Sequence, residues 1–291
     1  MPMTRRSFLQ QSAVASMVAL TATHALEAYP LGLPIGCQTY PVRTTINSDF
    51  AGTMKGLSEA GFKTIELCSP FGYGEFSGLK QYKAQDLRAM LKDYGLSCTS
   101  CHFGTGELFN HAEERIAWAH DFGLTQMGTA SLGFGTLPKD RKPTMDDVKR
   151  ITDQFNTFAA KAHDAGITAF LHNEVFEVTS IDGKRVYDAE IALLDPTNVK
   201  LQFQVSTMRD GFDPVDYFAR YPGRYISMHC QDWVIGPDGK SKQVPIGKGV
   251  VDWKKVFGAA KKAGIKNYFV ELEEDSSLMP QSVPYLKSLN V

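Results

Sequence analysis

A closed (β/α)8 barrel is the fold this sequence predicts, and three observations carry it. Eight short apolar stretches of strand character alternate with eight helical patterns over roughly 250 residues, the length such barrels take. The helical patterns stop repeatedly at glycine, as at Gly61, Gly95, Gly123, Gly166 and Gly264; glycine closes a helix in the left-handed region without a Cβ clash. No G-x-G-x-x-G follows the first strand, which argues against the open, doubly wound sheet of dinucleotide-binding proteins. No stretch of Ser, Pro or charge divides the alternation, so residues 26–291 are expected to form a single domain.

In order, Ile35 to Tyr40 reads as the first strand, and Asp49 to Gly61 as a helix with a capping aspartate. Thr64 to Cys68 is the second strand and Lys83 to Gly95 the second helix. Ser97 to Phe103 and His111 to Gly123 form the third pair, and Gln126 to Leu132 with the long amphipathic Met145 to Gly166 the fourth. The fifth strand starts at Thr168 and runs into His172-Asn-Glu-Val-Phe-Glu177; Ser180 to Val186, with its Asp182-Gly183 turn, is a small excursion before the helix Asp188 to Leu194. Val199 to Val205 and Pro214 to Tyr221 make the sixth pair, Tyr225 to Cys230 and Val251 to Gly264 the seventh, Asn267 to Leu272 and Val283 to Leu289 the eighth. Gly236 to Gly239 reads as a loop.

The chain has 291 residues, 43% of them hydrophobic and 22% charged, with a formal net charge of −1. No basic excess points to nucleic acid. Thr4-Arg-Arg-Ser-Phe-Leu-Gln10, the apolar run Ser12 to Ala22 and the small-residue end Thr23-His-Ala25 have the layout of a twin-arginine export signal, with too short an apolar run for a spanning helix. Cleavage after Ala25 would remove Arg5 and Arg6 and no acid, moving the charge from −1 to −3. The expected destination is the periplasm or the cell exterior, with no membrane attachment of the mature chain. Cys37, Cys68, Cys98, Cys101 and Cys230 fall at strand-like positions and read as buried thiols. On a strand, Cys98 and Cys101 would face opposite ways, which spoils a redox or zinc reading of that pair.

Barrel chemistry sits where strands end. Strand five offers His172, Glu174 and Glu177; strand six Gln202, Gln204 and Ser206; strand seven Ser227, His229 and Gln231 on one face; strand eight Glu271, Glu273 and Glu274; strand two Glu66; strand three His102. Carboxylates and imidazoles at the end of a buried strand need a cleft or a metal to satisfy them. Glu177, Gln204, His229 and Glu271 together make three oxygen donors and one nitrogen, a set suited to Mn2+, Mg2+, Co2+ or Zn2+ with positions left open for substrate.

The chain resembles the xylose isomerase-like barrel family of sugar isomerases, epimerases and related lyases. The likeness rests on His172-Asn-Glu-Val-Phe-Glu177, Tyr221 to Asp232, Gly247-Lys-Gly-Val-Val-Asp-Trp253 and Ala263 to Glu271. It implies metal ligation by Glu177, by Gln204 where the family carries aspartate, by His229 and by Glu271. The neutral Gln204 removes one negative charge from that set, and Glu174 stands where relatives often carry a second histidine. The resemblance also implies a carbohydrate substrate and a chain able to pair with copies of itself.

The function expected on these grounds is a metal-dependent isomerase or epimerase. Glu177 and Glu271 would move a proton beside a sugar carbonyl, with His102, His172, Glu66, Glu174 and Lys248 as substrate contacts. Two alternatives stay open: a lyase that uses the same proton abstraction to eliminate the substituent of a 3-keto-glycoside, and a sugar-binding barrel whose metal site has decayed.

Overall fold

The computed structural model describes residues 29–291; the expected export segment at 1–25 lies outside them. Eight strands close into one all-parallel barrel: β1 Gly36–Gln38, β2 Thr64–Cys68, β3 Ser97–His102, β4 Gln126–Thr129, β5 Thr168–His172, β6 Val199–Gln204, β7 Tyr225–Cys230 and β8 Asn267–Val270. Each strand pairs with its sequence neighbours, and β1 closes the ring against β8. The principal helices are α1 Phe50–Glu59, α2 Ala84–Asp93, α3 Ala112–Phe122, α4 Met145–Asp164, α5 Val186–Leu193, α6 Pro214–Arg220, α7 Trp253–Ala263 and α8 Leu278–Ser288.

Local chemistry sets these boundaries. Asp49 caps α1 by accepting from Gly52 N at 2.8 Å, and Asp252 caps α7 by accepting from Lys255 N at 3.0 Å. Gly123 and Gly264 end α3 and α7 with φ of 88° and 76°. Helix α8 begins five residues before the expected Val283, because Pro280 falls in its first turn, where its missing N–H costs nothing, and Pro284 is carried inside. Two hairpins decorate the rim: Ser180–Ile181 with Lys184–Arg185, and Asp232–Ile235 with Ser241–Val244. The second was expected only as a loop.

Apolar side chains fill the space between barrel and helices, and the interior of the barrel is polar toward its C-terminal end. In β6, Leu201 and Phe203 join the outer core while Gln202 and Gln204 turn inward. All five cysteines are buried and unpaired, and burial pushes the Cys98 thiol up to about 12. No helix among the described residues is long and apolar enough to cross a membrane.

Candidate active site

The floor of the site is a chain of buried charges. Glu66, fully buried on β2, accepts at Oε1 from Ser100 Oγ at 2.6 Å and Gln202 Nε2 at 2.8 Å, and at Oε2 from Gln38 Nε2 at 3.2 Å. His229 Nε2 also donates to Oε2, at 2.5 Å. On its other side, His229 Nδ1 lies 3.0 Å from Glu271 Oε2. That oxygen also accepts from Gln204 Nε2 at 2.7 Å and Gln231 Nε2 at 3.1 Å. Burial alone would suppress the His229 charge, but Glu271 and Glu66 outweigh it and raise the imidazole to about 10. The same pairing overcomes burial at Glu66 and Glu271 and holds both below the usual carboxylate range.

Three imidazoles, His102, His172 and His229, bring ligand atoms within 4.8 Å of one another. Gln202 gives its amide hydrogens to Glu66 and to Ser227 Oγ. Its Oε1, 2.6 Å from His102 Nε2, must therefore accept, and His102 carries its proton on Nε2. His172 is neutral: burial, then the neighbouring His229 and His102, push it well below its usual value. Its Nδ1 finds no partner among the described residues.

Above this floor a cavity of about 340 Å3 opens at the C-terminal ends of the strands. Its wall includes Gln38, Tyr40, Tyr73, His102, His172, Glu174, Glu271 and Glu273. No Lys or Arg lines it among the described residues. Burial, then the Glu271 charge, pushes Glu174 up to about 7; burial with Glu271 and Glu174 pushes Glu273 up to about 8.

Residues 55–289 match the family profile of Xylose isomerase-like TIM barrels. The chain belongs to that family. A sugar phosphate isomerase/epimerase from Parabacteroides distasonis superposes with a TM-score of 0.70 at 23% identity, covering 87% of this chain and 93% of its own. The D-psicose 3-epimerase of Clostridium cellulolyticum, solved with D-tagatose, gives 0.64 at 11% identity, with 88% and 99% covered. A xylose isomerase-like barrel protein from Mycobacterium smegmatis, solved with magnesium, gives 0.65 at 15% identity, with 92% and 98% covered. At these identities the likeness is one of fold. No curated protein sequence matches the chain.

The family resemblance implies a divalent cation, and the donors at the end of β6 to β8 fit one. Gln204 and His229 are register partners on adjacent strands. Gln204 Oε1 is buried without a partner among the described residues, beside the Glu271 carboxylate and His229 Nδ1. Glu66 fixes the His229 proton on Nε2, which leaves Nδ1 as the ligating nitrogen once its own proton is displaced. The three-imidazole cluster is a poorer set, since His102 and His229 both use Nε2 as a donor.

Three expected site residues are placed elsewhere in this xylose isomerase-like barrel. Glu177 does not face Glu271 across the cavity. After Asn173 the chain turns, with Val175 at φ 49° and Glu177 N donating to Glu174 O at 3.2 Å. The turn leaves Glu174 in the cavity wall and carries Glu177 behind it. There Glu177 Oε1 accepts from Leu132 N at 2.7 Å, beside the buried Glu190, and burial pushes Glu177 up to about 8. Lys248 is exposed and outside the cavity wall. Its Gly-Lys-Gly loop is a scaffold: Asp232 accepts from Gly247 N at 2.9 Å, Gly249 N at 3.1 Å and Trp253 Nε1 at 2.9 Å. Glu66, expected to touch substrate, is buried beneath His229. Gln38, Tyr40 and Tyr73 were not singled out in the sequence; strand alternation places Gln231 on the His229 face of β7, and it donates to Glu271 there.

Proposed function

We propose that this barrel is a sugar isomerase or epimerase that moves a proton on and off the carbon beside the carbonyl of an unphosphorylated sugar. The observation that carries the reading is Glu174 and Glu271 lining one rim cavity above the buried imidazoles. Glu174, pushed up to about 7, is divided between acid and base near neutral pH, as a group that takes and returns a proton must be. Glu271, pinned by donors from Gln204, His229 and Gln231, is the fixed carboxylate in the same wall. When bound at Glu271, His229 Nδ1 and Gln204 Oε1, a divalent cation (Mn2+, Mg2+, Co2+ or Zn2+) supplies positive charge to stabilise the oxygen anion that develops as the proton leaves.

His172 Nδ1, buried and unsatisfied among the described residues, accepts a substrate hydroxyl, and His102 holds the adjacent wall. The wall has no Lys or Arg among the described residues to neutralise a phosphate group, and the Glu271 carboxylate in it disfavours one. The export signal expected at residues 1–25 is consistent with the same choice, since it would carry the protein out of the cytoplasm to unphosphorylated sugars. The test is turnover of a panel of unphosphorylated ketoses and aldoses by protein reconstituted with Mn2+, Mg2+, Co2+ or Zn2+. Glu271→Gln is expected to lower kcat about 100- to 10,000-fold with the fold intact. Undiminished turnover in that variant would refute the assignment.

A further inference from the structure

A second cavity, of about 490 Å3, adjoins the first, and the two share Gly72, Gly104 and Phe134. Where they meet the wall is bare backbone. A Cβ on Gly72 would come within 2.9 Å of Gly104 N and would collide with Glu107, so glycine keeps a low saddle between the two spaces. Phe134 stands over this saddle between Gly133 and Gly135, with 46% of its surface exposed. Its loop is anchored: Leu132 N donates to Glu177 Oε1 at 2.7 Å, and Thr136 Oγ1 donates to Leu132 O. The buried position of Glu177 is thus tied to where Phe134 is held. Across the second cavity, Phe71 carries the Arg115 guanidinium 4.0 Å from its ring centroid, and Glu107 fixes Arg115 Nε at 2.9 Å.

An exposed aromatic ring at the junction of two cavities, with a fixed aromatic–guanidinium pair lining the same second cavity, is a platform for a ring-shaped ligand. We propose that the second cavity is a subsite for a second ring joined to the sugar in the first, so that the substrate is a glycoside that keeps a free carbonyl, as a reducing disaccharide or a keto-glycoside does. The proposal rests on the reading of the first cavity as a sugar site. The second ring lays an apolar face on Phe134 and turns its polar edge to Asn110, His111 and Arg115, which line the far wall. A second sugar and an aromatic aglycone share this chemistry.

The test is calorimetric binding of matched methyl, phenyl and glucosyl β-glycosides of glucose, galactose and xylose to the full chain. On at least one of the three sugars, the phenyl or glucosyl member is expected to bind at least about fivefold more tightly than the methyl one. A phenyl gain identifies an aromatic aglycone and a glucosyl gain a second sugar. Gly106 lines only the second cavity, and a Cβ there meets nothing within 4 Å. Gly106→Phe puts a ring into that space, and Phe134→Ala removes the platform; in both, the affinity ratio is expected to fall toward one. No gain on any sugar, no binding of any glycoside, or a gain that both variants leave intact would overturn the subsite. Proton transfer in the first cavity is judged separately, by turnover of monosaccharides.

Discussion

Glu66 Oε2 lies 2.5 Å from His229 Nε2, and this contact sets which face of the imidazole the rim receives. With Nε2 committed as a donor to a buried carboxylate, Nδ1 is the nitrogen turned toward Glu271. The carboxylate is itself fixed by Ser100, Gln202 and Gln38, so the ring has little freedom to flip.

Glu66→Gln therefore weakens metal binding without emptying the barrel core. The amide is nearly isosteric but removes the charge that favours Nε2–H. Mn2+ affinity, measured by equilibrium dialysis, is expected to fall about 10- to 100-fold with the circular dichroism spectrum unchanged.

Gln204→Asp puts a carboxylate where the family resemblance implies one. In the metal-free protein it would set a second anion against Glu271 Oε2, where Gln204 Nε2 now donates at 2.7 Å. Thermal scans are expected to show a lower Tm than the parent without metal and a larger Tm rise on adding Mn2+. An unchanged metal response would remove Gln204 from the ligand set.

Glu190 is fully buried in α5, and neither carboxylate oxygen has a partner among the described residues. Burial, then the charge of Glu177, raises it well above the usual carboxylate range. The sign follows: below about pH 4.5 folded and unfolded chains both keep this proton. As pH rises from there toward the folded pKa only the unfolded chain loses it, so stability falls. Glu190→Gln is expected to match the parent near pH 4.5 and to exceed its Tm at pH 8. A variant less stable at pH 8 would mean that the Glu177–Glu190 pair is stabilised there by something that holds both charges.

Asp232 gathers backbone N–H groups of the Gly247–Val251 loop and the Trp253 indole. Asp232→Ala leaves the buried Val251 N–H and Trp253 Nε1–H unsatisfied, each costing about 1–3 kcal/mol. Tm is expected to drop by at least roughly 4 °C, whereas Lys248→Ala on the same loop changes neither Tm nor KM.

The barrel was legible because its strands are apolar on the outer face throughout and its helices carry capping aspartates and terminal glycines. The inward set of β6 to β8 was legible for the same reason: Gln204 and His229 keep strand alternation to the rim. Legibility ended where the period ended. After His172 the chain leaves strand geometry through Val175 at positive φ, a conformation that nothing in a β-branched residue announces. The exchange of Glu174 for Glu177 followed from that turn. Lys248 was misplaced for a different reason: the Gly-x-Gly-x-x-x-Trp pattern records a demand for close backbone approach to Asp232, which reads in sequence like a ligand loop. Phe134 and Gly72 come together from separate loops, and no spacing along the chain brings them to notice.

The most direct measurement of the central claim is solvent hydrogen exchange. The metal-reconstituted protein is incubated in D2O with a turned-over sugar, and deuterium is sought by NMR at the carbon beside the carbonyl. Incorporation there in the parent, lost in Glu271→Gln and in Glu174→Gln, is the predicted result. Turnover with no deuterium entering that carbon, or exchange that survives in both variants, would contradict proton transfer by this pair.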